Sequence, residues 1–269
     1  MSATEPLFAP EGGRFVPSEH TRGPWDPRHQ HGGPSAALVA RAVEREAGAG
    51  FTVTRLTLEL LRPVPLEPLT VVSEVTKGGR RVVGLGVTIL ADGGTTPVVR
   101  ATAVAVRHAS LDVSGVPDDG RHEVPTPGPE AGRPMTFGAV GEVAAFHLTG
   151  MDVRVVEGAA DVAGPARAWF RLRRPVVGGE EPSGLQRAAA AADFGNGVSW
   201  VLPYDQWIFV NPDLTVHLAR PPQGEWIALD ANTLVSDEGT AIAEATLYDS
   251  AGRLGRSVQS LILERRGEG

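Results

Sequence analysis

The sequence predicts an α+β protein made of two copies of one unit, in each of which an antiparallel sheet wraps a central helix. Three observations lead there: an internal repeat, strands patterned with period two, and one short alanine-rich helix ahead of each run of strands. The repeat is plainest where Leu56-Thr57-Leu58-Glu59-Leu60-Leu61-Arg62-Pro63 meets Leu214-Thr215-Val216-His217-Leu218-Ala219-Arg220-Pro221, with five identities in eight positions at an offset of 158. The same offset, without a gap, sets the turn Gly79-Arg80-Arg81 on Asp237-Glu238-Gly239, Thr88 and Ile89 on Thr246 and Leu247, and Gly94 on Gly252. A register held this long points to two copies of one unit rather than to an array of many.

In chain order, the first helix is expected from Pro34 to about Ala47. Pro34 suits a first turn, where its missing N–H would have no partner anyway, and Gly48 or Gly50 can end the helix. Strands follow at about 52–61, 68–77, 81–91 and 97–108. There apolar and polar residues alternate, as in Thr52-Val53-Thr54-Arg55-Leu56-Thr57-Leu58, between clusters of Gly, Pro and Asp. The stretch at about 109–142 is rich in Pro, Gly and charge, has no sustained periodicity, and is expected to be a linker. A second helix at about Ser183 to Ala192 precedes strands at about 213–220, 225–236, 239–249 and 255–265. Small side chains on several faces of both helices suit a helix that a curved sheet approaches closely. The expected organisation is therefore an N-terminal unit at 1–110, a linker at 111–142, and a C-terminal unit at 143–269 that carries the candidate catalytic residues.

Composition narrows the function. With 269 residues, a net charge of −7 and basic residues scattered as singles and pairs, the chain offers no duplex-binding surface, and no nucleic-acid partner is expected. It has no cysteine, which removes disulfides, thiolate metal sites, iron–sulfur clusters and a thiol nucleophile. Lys77 is the only lysine among 25 basic residues, which leaves little room for Schiff-base or P-loop chemistry. No apolar stretch approaches the ~18 residues that cross a bilayer. The opening Met-Ser-Ala-Thr-Glu-Pro lacks the basic and apolar regions of a signal peptide, so no membrane partner and a cytoplasmic location are expected. Neither G-x-S-x-G nor H-E-x-x-H is present, His29-x-His31 lacks a third ligand, and Gly84-Leu85-Gly86 lacks the third glycine of a dinucleotide loop. No metal and no cofactor is expected.

Three segments carry a family resemblance: Trp25-Asp26-Pro27-Arg28-His29-Gln30-His31-Gly32-Gly33, then Leu185-Gln186-Arg187 and the alanine run to Asp193, then Leu214 to Pro222. In this order and spacing they resemble the double-hotdog acyl-CoA thioesterases of the thioesterase II type. The resemblance implies a double hotdog. It also implies hydrolysis of an acyl-CoA or related acyl thioester by an activated water, with no covalent intermediate. In that scheme Asp193 activates the water, Gln259 orients it, and Asn211 stands where the family carries a serine or threonine.

The residues support part of this on their own. Asp193 ends a buried-looking helix and so faces the negative end of its dipole, a poor place for a carboxylate unless something holds it there. The plain alternative is a helix-end aspartate before a glycine cap. Gln259 alternates with Ser257 and Leu261 and is either a solvent-facing strand residue or a buried amide in need of partners. The repeat, shifted by two residues after the longer turn of the first unit, sets Ala103 opposite Gln259, which leaves one complete site per chain. Asn211 before Pro212 also suits an ordinary turn.

His31, Gly32 and Gly33 open the first helix. A glycine pair there either offers backbone N–H groups to a substrate carbonyl or simply makes a tight turn. Arg62 and Arg220, equivalent in the repeat, are expected to do a structural job. Trp25, Trp169, Trp200, Trp207 and Trp226 are expected in the core or lining a groove. Two rival functions stand beside hydrolysis: an enoyl-thioester hydratase or dehydratase using Asp26 and His29 or His31, and a catalytically silent acyl-thioester-binding protein. The expected partner is an acyl-CoA or other acyl-thioester substrate, and a homo-oligomer is left open.

Overall fold

The computed structural model describes residues 5–117, 120–125, 127–135, 143–159 and 162–267. The chain opens with a hairpin, β1 (Phe8–Glu11) and β2 (Arg14–Pro17), followed by α1 (Gly32–Ala47) and then β3 (Phe51–Leu60), β4 (Thr70–Lys77), β5 (Val82–Ala91) and β6 (Thr96–Arg107). After the short β7 (Arg133–Pro134) come β8 (Met151–Ala159), β9 (Val162–Leu172), α2 (Gly184–Ala192) and α3 (Gly195–Val198). The second strand run comprises β10 (Trp207–Val210), β11 (Asp213–Leu218), β12 (Ile227–Val235), β13 (Thr240–Asp249) and β14 (Gly252–Arg265).

One sheet of twelve strands runs through the molecule in the order β4-β5-β6-β3-β11-β14-β13-β12-β9-β8-β7, with β10 also pairing with β14. The two half-sheets meet at the antiparallel β3–β11 seam, where Thr57 lies opposite Thr215 and Leu56 opposite Val216. Thr57 and Thr215 are also partners under the repeat offset, so the pseudo-two-fold axis passes between them, and Thr215 Oγ1 donates to Thr57 Oγ1 at 3.2 Å. The pleat turns Leu56, Leu58, Leu214 and Val216 to the helix side, where all four are buried. Burial of each contributes on the order of 2 kcal/mol.

The helices lie back to back under this sheet. The N-cap of α1, His31, meets Asp193 at the C-cap of α2. At the other end Glu44, in the last turn of α1, accepts a hydrogen bond from the Ser183 N-cap of α2 at 2.6 Å. The two helices are therefore antiparallel. Gly33 to Val43 is buried without interruption, and so is Ala188 to Ala192, because alanine and glycine let helix meet helix and sheet at close range. The wrapped-helix expectation holds for both units.

Several features were not legible in the sequence, α3 and β10 among them. The hairpin β1–β2 precedes α1, and β8 and β9 extend the second half-sheet beyond β12. A single π-helical turn, Phe146–Gly150, leads into β8. Of the expected linker, residues 118, 119, 126 and 136–142 lie outside the described residues, and Arg133–Pro134 forms the edge strand β7.

Candidate active site

At the junction of the two helices a polar cluster is enclosed by otherwise apolar packing. Asp193 sits at its centre, with a side chain only 3% exposed. Its Oδ2 lies 2.7 Å from His31 Nδ1. Its Oδ1 accepts from Asn211 Nδ2 at 2.9 Å and from Gln259 Nε2 at 3.1 Å. Two amide donors, from the β10–β11 turn and β14, and the imidazole that caps α1 thus answer the question raised by a carboxylate at the wrong end of its own helix dipole. The positive N-terminal end of α1 adds to them, since Asp193 lies against the first residues of that helix.

Each partner is placed by a local feature of the sequence. His31 is extended (φ −67°, ψ 150°) as the N-cap of α1. Its ring stacks on Phe194, with centroids 4.7 Å apart, and leans on Phe146 at 5.2 Å. Asn211 is in the turn before Pro212 and also donates to the Asp213 carbonyl at 3.3 Å. Gln259 is buried on the helix-facing side of β14, opposite Ala243 of β13. Its Nε2 also approaches the Asp193 carbonyl at 3.4 Å, while its Oε1 is buried without a hydrogen-bond partner among the described residues.

The glycines that follow His31 act mainly through size. A Cβ on Gly32 would stand 2.7 and 2.8 Å from the two Asp193 carboxylate oxygens. One on Gly33 would stand 2.6 Å from Phe146 Cε1 and 2.8 Å from the Ala190 carbonyl oxygen. Both positions thus have to be bare for the helices to meet. The Gly33 amide lies 3.1 Å from His31 Nδ1.

Sequence patterning missed the neighbours of this cluster. Phe146 and Phe194 form its apolar wall, and His147, one residue on in the π turn, is pushed down to about 4 by burial and by the nearby His31. A π turn has no hydrophobic period of its own, so a lone Phe-His pair gave no signal.

The pair named for the rival hydratase is arranged otherwise. Asp26 receives the Arg28 guanidinium, with Nη2 at 2.7 Å, and the Arg28 amide at 2.8 Å, which hold its carboxyl far below the usual carboxylate range. His29 Nδ1 lies 3.5 Å from the same carboxylate, whereas His31 is paired with Asp193. A groove of about 510 Å³, lined by Thr54, Thr215, His217 and Arg256, opens on the outer sheet face, the side of β11 and β14 opposite Leu214 and Gln259. It is not part of the cluster. Among the described residues no group of three or more His, Asp or Glu side chains could hold a metal.

Arg220 and Arg62 differ despite their shared place in the repeat. Arg220 makes a two-pronged pair with the fully buried Asp249, at 2.8 and 2.6 Å, whereas Arg62 donates to the Pro97 carbonyl at 3.0 Å. Trp169 is in the core and Trp25 is 37% exposed.

Two helices back to back beneath one antiparallel sheet, related by an internal two-fold, make this a double-hotdog protein. The chain belongs to the acyl-CoA thioesterase family. The family's N-terminal-domain model matches residues 21–106 and its C-terminal-domain model residues 118–263, which makes the protein a thioester hydrolase. Solved structures agree in fold over nearly the whole chain. The acyl-CoA thioesterase II TesB2 from Mycobacterium marinum is 19% identical, with 96% of each chain covered and a TM-score of 0.65. A Thermobifida fusca YX protein provisionally named a thioesterase II is 19% identical over 98% of this chain and 97% of its own, at a TM-score of 0.71. A hot dog fold protein of unknown function from Alicyclobacillus acidocaldarius is 17% identical over 97% and 96%, at 0.69. No curated protein sequence matches the chain.

Proposed function

We propose that the protein hydrolyses acyl-CoA, or a closely related acyl thioester, to the free acid and the thiol, a step of lipid metabolism. Water is the nucleophile, and the site is the cluster of Asp193, Gln259 and Asn211, with the substrate carbonyl entering beside His31, Gly32 and Gly33. The observation that carries this reading is the buried Asp193 carboxylate held by groups from three separate elements. A carboxylate so enclosed is costly to bury and earns its place most simply as part of a reaction centre.

Among the described residues the side chains that touch this carboxylate are an imidazole and two carboxamides. None supplies the hydroxyl or thiol of a stable acyl-enzyme. The buried Gln259 Oε1 is an acceptor suited to one hydrogen of a water. Asn211 donates to the carboxylate through its amide, so the missing hydroxyl at this position does not unmake the cluster. The strand register supports a single site per chain. Ala103 of β6 lies between Leu56 and Leu85 as Gln259 of β14 lies beside Ala243, and Ala243 is the repeat partner of Leu85.

The test is release of free thiol from short, medium, long and aromatic acyl-CoAs, read with a thiol-reactive dye that meets no cysteine in the protein. Turnover is expected with at least one chain length, and Asp193→Ala and Gln259→Ala should each lower kcat/KM by roughly 100-fold or more. An unaltered protein that binds acyl-CoA but releases no thiol would return the weight to the silent binder.

A further inference from the structure

We propose that His31 is the base that takes the proton from the attacking water, with Asp193 as the group that orients the ring and balances its charge. This rests on the hydrolase reading above and assigns the proton transfer within it.

The first argument is access. The Asp193 side chain is 3% exposed and that of His31 13%, so the imidazole is the member of the pair that faces outward. The second is occupancy. Oδ1 already accepts from Asn211 and Gln259, and Oδ2 faces His31 Nδ1. Little of the carboxylate is left for a water.

The third argument is the tautomer. His31 Nδ1 has two neighbours, the carboxylate at 2.7 Å and the Gly33 amide at 3.1 Å, and it cannot donate to one and accept from the other at once. The shorter, charge-assisted contact prevails, so Nδ1 carries the hydrogen and donates it to Asp193. That leaves the lone pair on Nε2, the arrangement a general base needs. Phe194 and Phe146 on the ring faces fix its plane, and Asn211 and Gln259 fix the carboxylate that fixes the ring. The neighbouring His147, pushed down to about 4, is a poor base near neutrality.

The step balances without any further reactant. The water oxygen bonds to the thioester carbonyl carbon as one of its protons passes to His31 Nε2, and the carbonyl π pair moves onto oxygen. Collapse of this tetrahedral adduct re-forms the C=O bond and breaks the C–S bond. The departing thiolate then takes the proton from Nε2, giving acid and thiol with the ring restored.

His31→Asn is the informative variant. Asparagine keeps a donor for Asp193 and is a good N-cap for α1 but cannot carry a proton between water and thiolate. The expected result is a fall in kcat of about 10²- to 10⁴-fold with KM and melting temperature close to those of the unaltered protein. In His31→Ala, free imidazole in the buffer should restore turnover in proportion to its concentration, a response that a merely structural role would not give. A His31→Asn protein that keeps its kcat within about threefold overturns the proposal while leaving the hydrolase reading intact. If that variant fails to fold, absence of imidazole rescue in His31→Ala does the same. No thiol from the unaltered protein overturns both.

Discussion

At Gly32 the difference between no side chain and a methyl group falls directly on the buried Asp193 carboxylate. Gly32→Ala would place its Cβ 2.7–2.8 Å from both Asp193 oxygens, and the carboxyl group must swing away from Asn211, Gln259 and His31 to make room. Turnover should fall far more than stability, which should drop by about 1–3 kcal/mol. Gly33→Ala meets a backbone carbonyl, that of Ala190, which cannot rotate aside, so its melting temperature should fall further than that of Gly32→Ala. Thermal melts run beside the thiol assay check both, and a Gly32→Ala protein with unaltered turnover would show that the carboxylate need not stay where it is. The two repeat-equivalent arginines give a second contrast. Arg220→Leu leaves the fully buried Asp249 with the Gln223 and Ala251 amides but no cation, and should cost about 3 kcal/mol in denaturant titrations. Arg62→Leu loses a hydrogen bond at the exposed end of the side chain and should cost about 1 kcal/mol or less. Equal losses would mean that the shared signature position, and not the acid beneath it, sets the energy.

Among the elements, the π turn that carries Phe146 and His147 should make folding sensitive to acid. Burial pushes His147 down from 6.5 to about 4, so between those values the unfolded chain binds a proton that the folded chain refuses. A depressed histidine contributes stability that is fully present above the unfolded value and is lost as pH falls toward the folded one, here on the order of 3 kcal/mol. His147→Gln should remove this contribution, and comparing unfolding free energies of the two proteins at pH 7.5 and pH 4.5 measures it. A constant difference between them at both pH values would place His147 outside the buried wall. This element is also where sequence patterning stopped. The eight repeated strands carry period 2, and the repeat supplied a second reading of them, while α1 and α2 stood out as short alanine-rich stretches ahead of each run. β1 and β2 are four residues each around the left-handed Gly12-Gly13 turn, too short to show a period. β9 begins through Gly164-Pro165, residues that argue against a strand from sequence alone. Asp193 stood out because its own helix end repels it. Nothing in the order of residues could show that His31, 162 positions earlier, would be the group to meet it, because that contact exists only once the two helices lie antiparallel.

For the whole molecule, the consequence of that arrangement is that neither unit owns the proposed site. His31, Gly32 and Gly33 come from the N-terminal unit, and Asp193, Asn211 and Gln259 from the C-terminal one. One buried cluster of core residues includes Leu38, Leu56 and Ile89 together with Ala189, Leu214 and Leu247, so the repeat has not produced two independent cores. We propose units at 1–110 and 143–269 that differ from ordinary domains in this respect: each supplies half of the helix pair and one strand of the β3–β11 seam, and each leaves apolar surface bare without the other. A cut among the exposed residues near Leu111, Val113 and Val116 breaks the connection between the units and no element of the seam or helix pair. The nicked protein should therefore elute from a sizing column as one species and keep its thiol-releasing activity. The 143–269 piece made alone should expose β11 as an unpaired edge and the alanine face of α2, associate nonspecifically, and release no thiol. Heat or denaturant should unfold the intact chain in one transition, with activity and far-ultraviolet signal lost together, although a chain of this length often unfolds in steps. A stable, separately melting C-terminal piece would show that the seam and the helix pair contribute less than their burial implies, and would make the shared site a late addition to two self-sufficient units.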